Sequence, residues 1–185
     1  MDDQNQSSNA KPFLSDVQTL RDRARRNMEE GAVTSGYRGD VKKTIEILQA
    51  VLATEIVCVL RYTAHAVLAT GMSSEGVKGE FSQHAKEEAE HVQEVAERIT
   101  QLGGKPDFNP TGLASRAASE YGTADDLVGM IKENLIAERI AIEHYQELIR
   151  YFGNDDPGTR AMLERILLVE EEHASDMHDL LEAHG

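Results

Sequence analysis

The sequence has little of several residue types, and each shortage excludes a class of protein. Its 185 residues contain one cysteine, Cys58, which excludes a disulfide within the chain and a metal site built from paired cysteines. No apolar run approaches the roughly 18 residues of a membrane-spanning helix. Residues 1–11 lack the apolar stretch of a signal peptide, so we expect a cytoplasmic protein. The net charge of −14 argues against general nucleic-acid binding, which depends on basic surface.

Helix-breaking residues are also few, and they separate long helical segments. There are four prolines, and the 14 glycines fall mostly between segments. Apolar residues recur at helical spacing in four segments, at about 40–70, 74–102, 124–152 and 157–183. Thr123 is predicted to cap the third helix, and Asp156-Pro157 to begin the fourth. The pattern predicts an all-α protein built on a four-helix bundle.

The lengths of the connections predict the topology of this bundle. Only a few residues join the first helix to the second and the third to the fourth, so each pair should be antiparallel. About 20 residues lie between Gly103 and Gly122, which is enough for a long crossover, with a short helix predicted at Leu113–Tyr121. Residues 14–28 are predicted to form an extra N-terminal helix, capped by Ser15 or Asp16, after a disordered stretch at residues 1–12. We predict two domains, an arm of residues 1–40 and a bundle of residues 41–185.

Ionisable residues interrupt the apolar stripe of each long helix. A lone glutamate lies midway along the first and third helices, and a Glu-x-x-His pair lies on the second and fourth. Residues three apart share a helix face, so each pair can aim a carboxylate and an imidazole at one point. A buried carboxylate is costly unless something neutralises it. Two divalent cations would do so, and the predicted metal ligands are Glu55, Glu88, His91, Glu138, Glu170 and His173.

The two halves of the chain repeat this pattern. Glu88 follows Glu55 by 33 residues and Glu170 follows Glu138 by 32, whereas chance alone predicts about one Glu-x-x-His in this composition. Carboxylates and imidazoles suit iron or manganese, although zinc could also enter such a site. A tyrosine follows each lone glutamate by seven residues (Tyr62 and Tyr145). Each tyrosine either orients a ligand carboxylate by a hydrogen bond or simply fills the core, and the sequence leaves both open.

The remaining candidate residues are interpreted more simply. His84 and Glu87 lie on or beside the face of Glu88, and we interpret them as an ordinary exposed pair, the alternative being that they help iron leave the site. Cys58 is interpreted as a small buried hydrophobe. The histidines without partners at the required spacing are expected at the surface or rim (His65, His144, His178 and His184).

With these residues placed, the chain resembles the ferritin-like di-iron superfamily, and within it bacterioferritin, over about residues 40–183. The resemblance implies a ferroxidase centre with two irons per subunit, where iron(II) is oxidised by dioxygen or hydrogen peroxide. It also implies that the ferric product is mineralised inside a hollow protein shell. The residues that carry it are Glu55 with Tyr62, Glu88-Ala-Glu-His91, Leu102-Gly-Gly-Lys-Pro, Glu138 and Glu170-Glu-Glu-His173.

The chain departs from bacterioferritin in ways that change these expectations. Ala89 stands where bacterioferritin has its haem-binding methionine, so we expect no haem. Only 12 residues follow His173, too few for the extra C-terminal helix of 24-subunit shells. The opening residues (11–17 and 30–34) are similar to Dps-like mini-ferritins, which implies a homo-oligomer of 12 subunits. True Dps proteins build their iron site between subunits, and thioferritins carry a cysteine pair beside it, which Cys58 alone does not match.

Two other functions compete with ferroxidase and iron storage. One is a di-iron or di-manganese peroxidase or catalase without storage. The other is DNA protection of the Dps type, for which the candidate region is the cluster Arg21, Arg23, Arg25 and Arg26. Residues 1–40 contain six Lys or Arg and seven Asp or Glu, so this arm has no net positive charge. We therefore expect no DNA binding.

Overall fold

The structure, a computed structural model, describes residues 14–26, 28, 31–71 and 74–185. The predicted disorder of residues 1–12 lies outside these residues. They contain six helices and no strand, which confirms the all-α prediction. The helices are α1 (Val17–Ala24), α2 (Val41–Leu68), α3 (Ser74–Gln101), α4 (Leu113–Arg116), α5 (Leu127–Phe152) and α6 (Pro157–His184).

Aspartate side chains start three of the long helices. Asp40 accepts a hydrogen bond from the backbone N–H of Lys43 at 3.0 Å, and Asp126 accepts one from Gly129 at 2.9 Å. Asp156 caps α6 in the same way, and Pro157 occupies the first turn, where its missing N–H costs nothing. Thr123 was predicted to cap the third helix. That prediction is wrong because Glu133 binds the backbone N–H groups of Thr123 and Ala124 and holds this segment outside the helix.

Glycine ends α3 as the sequence predicts. Gly103 has φ 83°, a left-handed conformation that other residues adopt only with strain, and the N–H of Gly104 bonds to the carbonyl of Ile99 at 2.9 Å. A side chain on Gly104 would come within 2.9 Å of Ile99 and 3.0 Å of Ile45. The glycine pair therefore turns the chain and also lets it pass close to the neighbouring helix.

The long helices pack as two hairpins joined by a crossover, which confirms the predicted topology. α2 packs along α3, and α5 packs along α6. Cross-hairpin bonds run from Arg98 to Asp156 at 2.9 Å at one end and from His84 to Asp176 at 3.3 Å further along, so α3 and α6 are antiparallel. The crossover carries α4, whose Leu113 packs on α2. Buried apolar residues fill the space between the helices and leave a polar site at mid-height.

The chain divides into two compact units between Gly36 and Tyr37. In the first unit, α1 is shorter than predicted, and Asp16 caps it by accepting from the backbone N–H and the hydroxyl of Thr19, at 3.0 and 2.6 Å. Whether the arm is a separate domain stays a prediction. Among the described residues, no helix is both long and apolar enough to cross a membrane.

Candidate metal centre

The six predicted ligands lie at the same height in the bundle. Each of the four long helices contributes one or two of them. All four carboxylates are buried, with at most 1% of their surface exposed, and the two histidines are 1% and 5% exposed. They are on α2 (Glu55), α3 (Glu88 and His91), α5 (Glu138) and α6 (Glu170 and His173). The structure therefore brings all six side chains together, as the sequence predicts.

The six side chains form two overlapping groups of possible ligands. Glu55 and His91 form one group and Glu138 and His173 the other, and both groups include Glu88 and Glu170. In each group one ligand atom per residue lies within 4.8 Å of all the others. Ligand atoms about 2.1 Å from a shared metal lie about 3 to 4 Å apart. Two ions bridged by two glutamates fit this arrangement.

The polar atoms that face the centre have no hydrogen-bond partner. Nδ1 of His91 lies 2.9 Å from Oε1 of Glu170, yet neither atom has a partner with hydrogen-bond geometry. Such atoms are rare in a protein interior because each carries the full cost of desolvation. Divalent cations would satisfy them. The unpartnered atoms are Oε2 of Glu55 and Glu138, both carboxylate oxygens of Glu88 and Glu170, and Nδ1 of His91 and His173.

Without a metal, the carboxylates and imidazoles of the centre share protons. Burial, and then repulsion from Glu88, raises the pKa of Glu55 to about 7. The same two causes raise the pKa of Glu170 well above its ordinary value. Burial opposes protonation of His173, but the neighbouring carboxylates of Glu88 and Glu138 raise its pKa to about 9. Two divalent cations would replace these protons.

Each tyrosine donates a hydrogen bond to a ligand carboxylate on the other hairpin. The hydroxyl of Tyr62, on α2, donates to Oε1 of Glu138 on α5. The hydroxyl of Tyr145, on α5, donates to Oε1 of Glu55 on α2 at 2.5 Å. In both glutamates the other oxygen, Oε2, is the one left for the centre. Of the two interpretations that the sequence left open, the geometry favours orientation of the ligands.

His84 is buried, with 1% of its surface exposed, so its interpretation as part of an exposed pair is wrong. The cause is the packing of α6 on α3, since the His84 ring stacks on that of His173 with centroids 3.9 Å apart. Glu87 is partly exposed and accepts a hydrogen bond from Nε2 of His173 at 2.8 Å, which leaves Nδ1 of that ring for the centre. His65 was expected at the surface and is buried at 3% exposure.

Two further polar residues near the centre, Arg61 and Asn134, are buried although their positions in the sequence do not predict it. Both lie within apolar stretches, and only the cost of burying a guanidinium or an amide could have suggested that they are paired. Cys58 is buried as predicted, with its sulfur 3.4 Å from Nη2 of Arg61. Burial raises the pKa of its thiol, so Cys58 stays protonated beside the centre.

Comparison with known proteins finds one family over most of the chain. The family model for ferritin, described as a ferritin-like domain, matches residues 45–184. These residues include all six predicted ligands.

Individual relatives and solved structures agree with this match. A dodecameric thioferritin from Bacteroides fragilis, described as bacterioferritin-related, is 36% identical, covers 79% of this chain and 88% of its own, and superposes with a TM-score of 0.75. A ferritin-like di-iron-carboxylate protein from Bacillus anthracis is 25% identical, over 76% of this chain and 96% of its own, with a TM-score of 0.67. The DNA protection during starvation protein of Pyrococcus furiosus is 29% identical over 145 residues, 77% of this chain and 78% of that protein.

Proposed function

We propose that this chain, which belongs to the ferritin-like family as a mini-ferritin of the Dps type, is a ferroxidase. Iron(II) is the substrate, and the six residues that meet in the bundle bind two ions of it in each subunit. We further propose that the ferric product is stored or detoxified in a hollow shell in the cytoplasm. The observation that carries the proposal is the set of eight unpartnered ligand atoms on six buried side chains.

The donor set suits iron rather than a softer metal. Four carboxylates balance the charge of two divalent ions, and the imidazoles of His91 and His173 can bind metal when they are neutral. Glu88 and Glu170 would bridge the two ions, while each remaining ligand would bind one. Neighbouring iron(II) ions can each give one electron, and dioxygen or hydrogen peroxide takes up the pair with two protons, giving hydrogen peroxide or water respectively. A di-iron-carboxylate protein among the similar structures supports this choice of metal.

The chain's own residues would prepare the centre for this reaction. Tyr62 and Tyr145 fix two terminal carboxylates by bonds across the bundle, and Glu87 fixes the tautomer of His173. The surrounding core keeps bulk water away, which strengthens the attraction between carboxylates and cations. Protons displaced from Glu55 and His173 can leave along the partly exposed side, where Glu87, Glu90 and Glu94 line an open groove beside His91.

Loss of one ligand should stop rapid oxidation without unfolding the protein. In Glu55→Ala or His173→Ala, we expect the rate of oxidation of two iron(II) per subunit to fall about a hundredfold or more, because removal of even a supporting residue costs 10- to 100-fold. Stopped-flow absorbance with dioxygen or hydrogen peroxide measures the rate, and circular dichroism checks the helices. Glu97→Ala, an exposed glutamate further along α3, is the matched control. Unchanged rates in either ligand variant would count against the centre.

A shell of 12 subunits is the proposed assembly. The similar thioferritin from Bacteroides fragilis is dodecameric by its description. On the bundle, several large apolar side chains are exposed and would be covered by neighbouring subunits (Leu60, Val67, Leu68, Ile136 and Leu168). Native mass spectrometry should give the mass of 12 chains, and electron microscopy should show a hollow particle. A small solid oligomer would exclude storage and favour the peroxidase or catalase alternative.

DNA protection is a second candidate because the relative from Pyrococcus furiosus has that name. The charge distribution opposes it, since the whole chain has a net charge of −14 and residues 1–40 have one more acidic than basic residue. We expect no shift of duplex DNA in a gel at low salt. Tight binding that weakens steeply with added salt would instead favour DNA protection as the function.

A further inference from the structure

The short helix of the arm, α1, has an apolar face that is exposed. Val17, Leu20 and Ala24 are three and four residues apart, so they share one side of the helix, which we call the arm stripe. Val17 is 61% exposed, Leu20 is 53% exposed, and Ala24 is exposed as well. An amphipathic helix normally packs this side against another element. The arm stripe is instead open to solvent.

The length of α1 makes this exposure unusual. The helix has eight residues, whereas isolated helices shorter than about 12 residues are marginal in water. Asp16 caps its first turn, but most of the stability of a helix in a protein comes from packing of its apolar side. All eight residues of α1 are at least partly exposed. The arm stripe therefore has the properties of a binding surface.

The arm stripe borders a groove that is small for a ligand site. Leu20 and Ala24 form the groove together with Arg23 and residues 34–36, and its volume is about 250 Å³. Small-molecule sites usually have volumes of about 300 to 1,000 Å³. The groove is therefore better suited to a single apolar side chain that projects from a protein surface.

Arginines flank the arm stripe. At about 100° per residue, Arg21 and Arg23 project on its two sides, and Asp22 lies on the far side of the helix. Within residues 17–26, four arginines outnumber one aspartate. A surface that fits this helix should therefore combine apolar side chains with carboxylates.

The four-helix bundle has these complementary properties. Residues 41–185 contain 26 of the 33 Asp and Glu but only 13 of the 19 Lys and Arg. Without the four glutamates of the centre, acidic residues still outnumber basic ones by nine. Apolar side chains and carboxylates also adjoin on its surface, where the exposed Leu68 and Tyr121 line a hollow together with Asp125.

We propose that the arm stripe binds the bundle of a neighbouring copy of this chain, with Arg21 and Arg23 against its carboxylates. This contact rests on the proposed shell, where adjacent subunits are held at a high effective concentration. Most of the entropic cost of association is then already met by the shell, so a small contact suffices. Between free molecules, a stripe of this size is far below the area of a stable interface.

DNA fits the same surface less well. Asp22 pairs with Arg25 at 3.4 Å, and Arg23 donates a hydrogen bond to Ser15 at 3.1 Å, so part of the positive charge is used within the arm. Binding to DNA depends on contacts with phosphates, which have no use for an apolar stripe. The charge of −14 on each chain also repels a polyanion.

Photo-crosslinking of the assembled protein tests the proposal. With p-benzoylphenylalanine in place of Leu20, irradiation should give a product with the mass of two chains on a denaturing gel. Mass spectrometry should locate the link within residues 41–185 of the second chain. The same group in place of Gln18 should give about fivefold less of this product, because position 18 is on another side of α1.

Charge variants test the two arginines in protein with the crosslinker at position 20. Arg21→Gln with Arg23→Gln should lower the yield of the two-chain product about fivefold at low salt, as expected for the loss of two exposed ion pairs. Added salt should lower the yield in the unchanged arm as well. Arg26→Gln, which removes an exposed arginine beyond the end of α1, is the matched control and should keep the yield. Equal yields in the double variant and the control would contradict the proposed ion pairs.

The remaining outcomes separate this contact from the proposed shell. A link only within one chain, or no link, would overturn the contact. Loss of the link on addition of duplex DNA would also overturn it, since the arm would then bind DNA. A particle of 12 subunits without the two-chain product would contradict the contact and leave the shell intact. The two-chain product in a small solid oligomer would support the contact and contradict the shell.

Discussion

Two polar clusters are buried side by side in the bundle, and they are neutralised in opposite ways. The Arg61 cluster, formed by Arg61, Asn134 and His65, brings its own positive charge. The candidate metal centre brings four carboxylates and two imidazoles, and an imidazole is positive only when it is protonated. A buried cluster that contains its own cation can contribute to the fold without a ligand. A buried cluster of carboxylates without such a cation can instead bind a metal ion.

Hydrogen bonding within the Arg61 cluster is complete. Nε of Arg61 donates to Oδ1 of Asn134 at 2.8 Å, and Nη1 donates to the carbonyl of Glu120 at 3.0 Å. These bonds fix the amide of Asn134, whose Nδ2 donates to Nδ1 of His65 at 3.1 Å. Nε2 of His65 then faces Glu133 at 3.5 Å. The cluster thereby ties α2 to α5 and to the crossover without needing a ligand.

The two clusters should differ most in how added metal changes the stability of the folded protein. At a thousandfold excess over the dissociation constant, each ion stabilises the folded protein by about 4 kcal/mol, so two ions give about 8 kcal/mol. Chemical denaturation with and without Mn²⁺ should show this gain in wild type. Glu88→Gln, which removes a bridging carboxylate, should lose most of it. A full gain in Glu88→Gln would show that the metal binds elsewhere.

Disruption of the Arg61 cluster should cost stability whether or not metal is present. Arg61→Met leaves the side-chain oxygen of Asn134 and the carbonyl of Glu120 without their donor. We expect a loss of about 3 kcal/mol, because each buried unsatisfied group costs about 1 to 3 kcal/mol. Arg139→Met, at an exposed position on α5, is the control for loss of an arginine. Equal losses in the two variants would contradict a special role for Arg61.

Metal-free protein should lose stability as the pH rises from 6 to 9. Glu55 and His173 both hold their protons more tightly when folded, with pKa values of about 7 and about 9 against ordinary values of 4.5 and 6.5. Their contributions are therefore present at low pH and are lost as the pH passes each folded pKa. Each proton held only in the folded state changes the free energy of unfolding by about 1.4 kcal/mol per pH unit. Because the sites are coupled, we expect a total loss of roughly 2 kcal/mol between pH 6 and 9. Denaturant midpoints measure it, and Glu55→Gln should show a smaller decline than wild type.

The smallest effect should be a gain of stability on removal of one buried carboxylate. Metal-free Glu170→Gln removes a carboxyl group whose ionisation is opposed first by burial and then by repulsion from Glu88, and we expect a gain of about 1 kcal/mol in the free energy of unfolding at neutral pH. The same variant should gain less from Mn²⁺ than wild type does. Urea denaturation measures both quantities. Destabilisation of the metal-free variant would mean that the centre contributes to the fold as the Arg61 cluster does.

Much of this structure could be predicted from sequence because helices impose regular spacing. The four long helices, their hairpin pairing and the position of Glu55, Glu88 and Glu138 within apolar stripes follow from the 3.6-residue period. Helix ends were less predictable. Both Thr123 and Asp126 could cap the start of α5. Asp126 is the cap because Glu133 accepts hydrogen bonds from the backbone N–H groups of residues 123 and 124 and holds them outside the helix.

The sequence by itself determined which six side chains could meet, because each helix repeats its buried face at a fixed interval and a carboxylate there needs a cation. Only the tertiary structure decided what surrounds them. His84 becomes buried because α6 packs against α3, and Arg61 finds Asn134 because α2 lies against α5. Such contacts depend on the rotation and offset of one helix against another, and spacing along a single helix does not specify them.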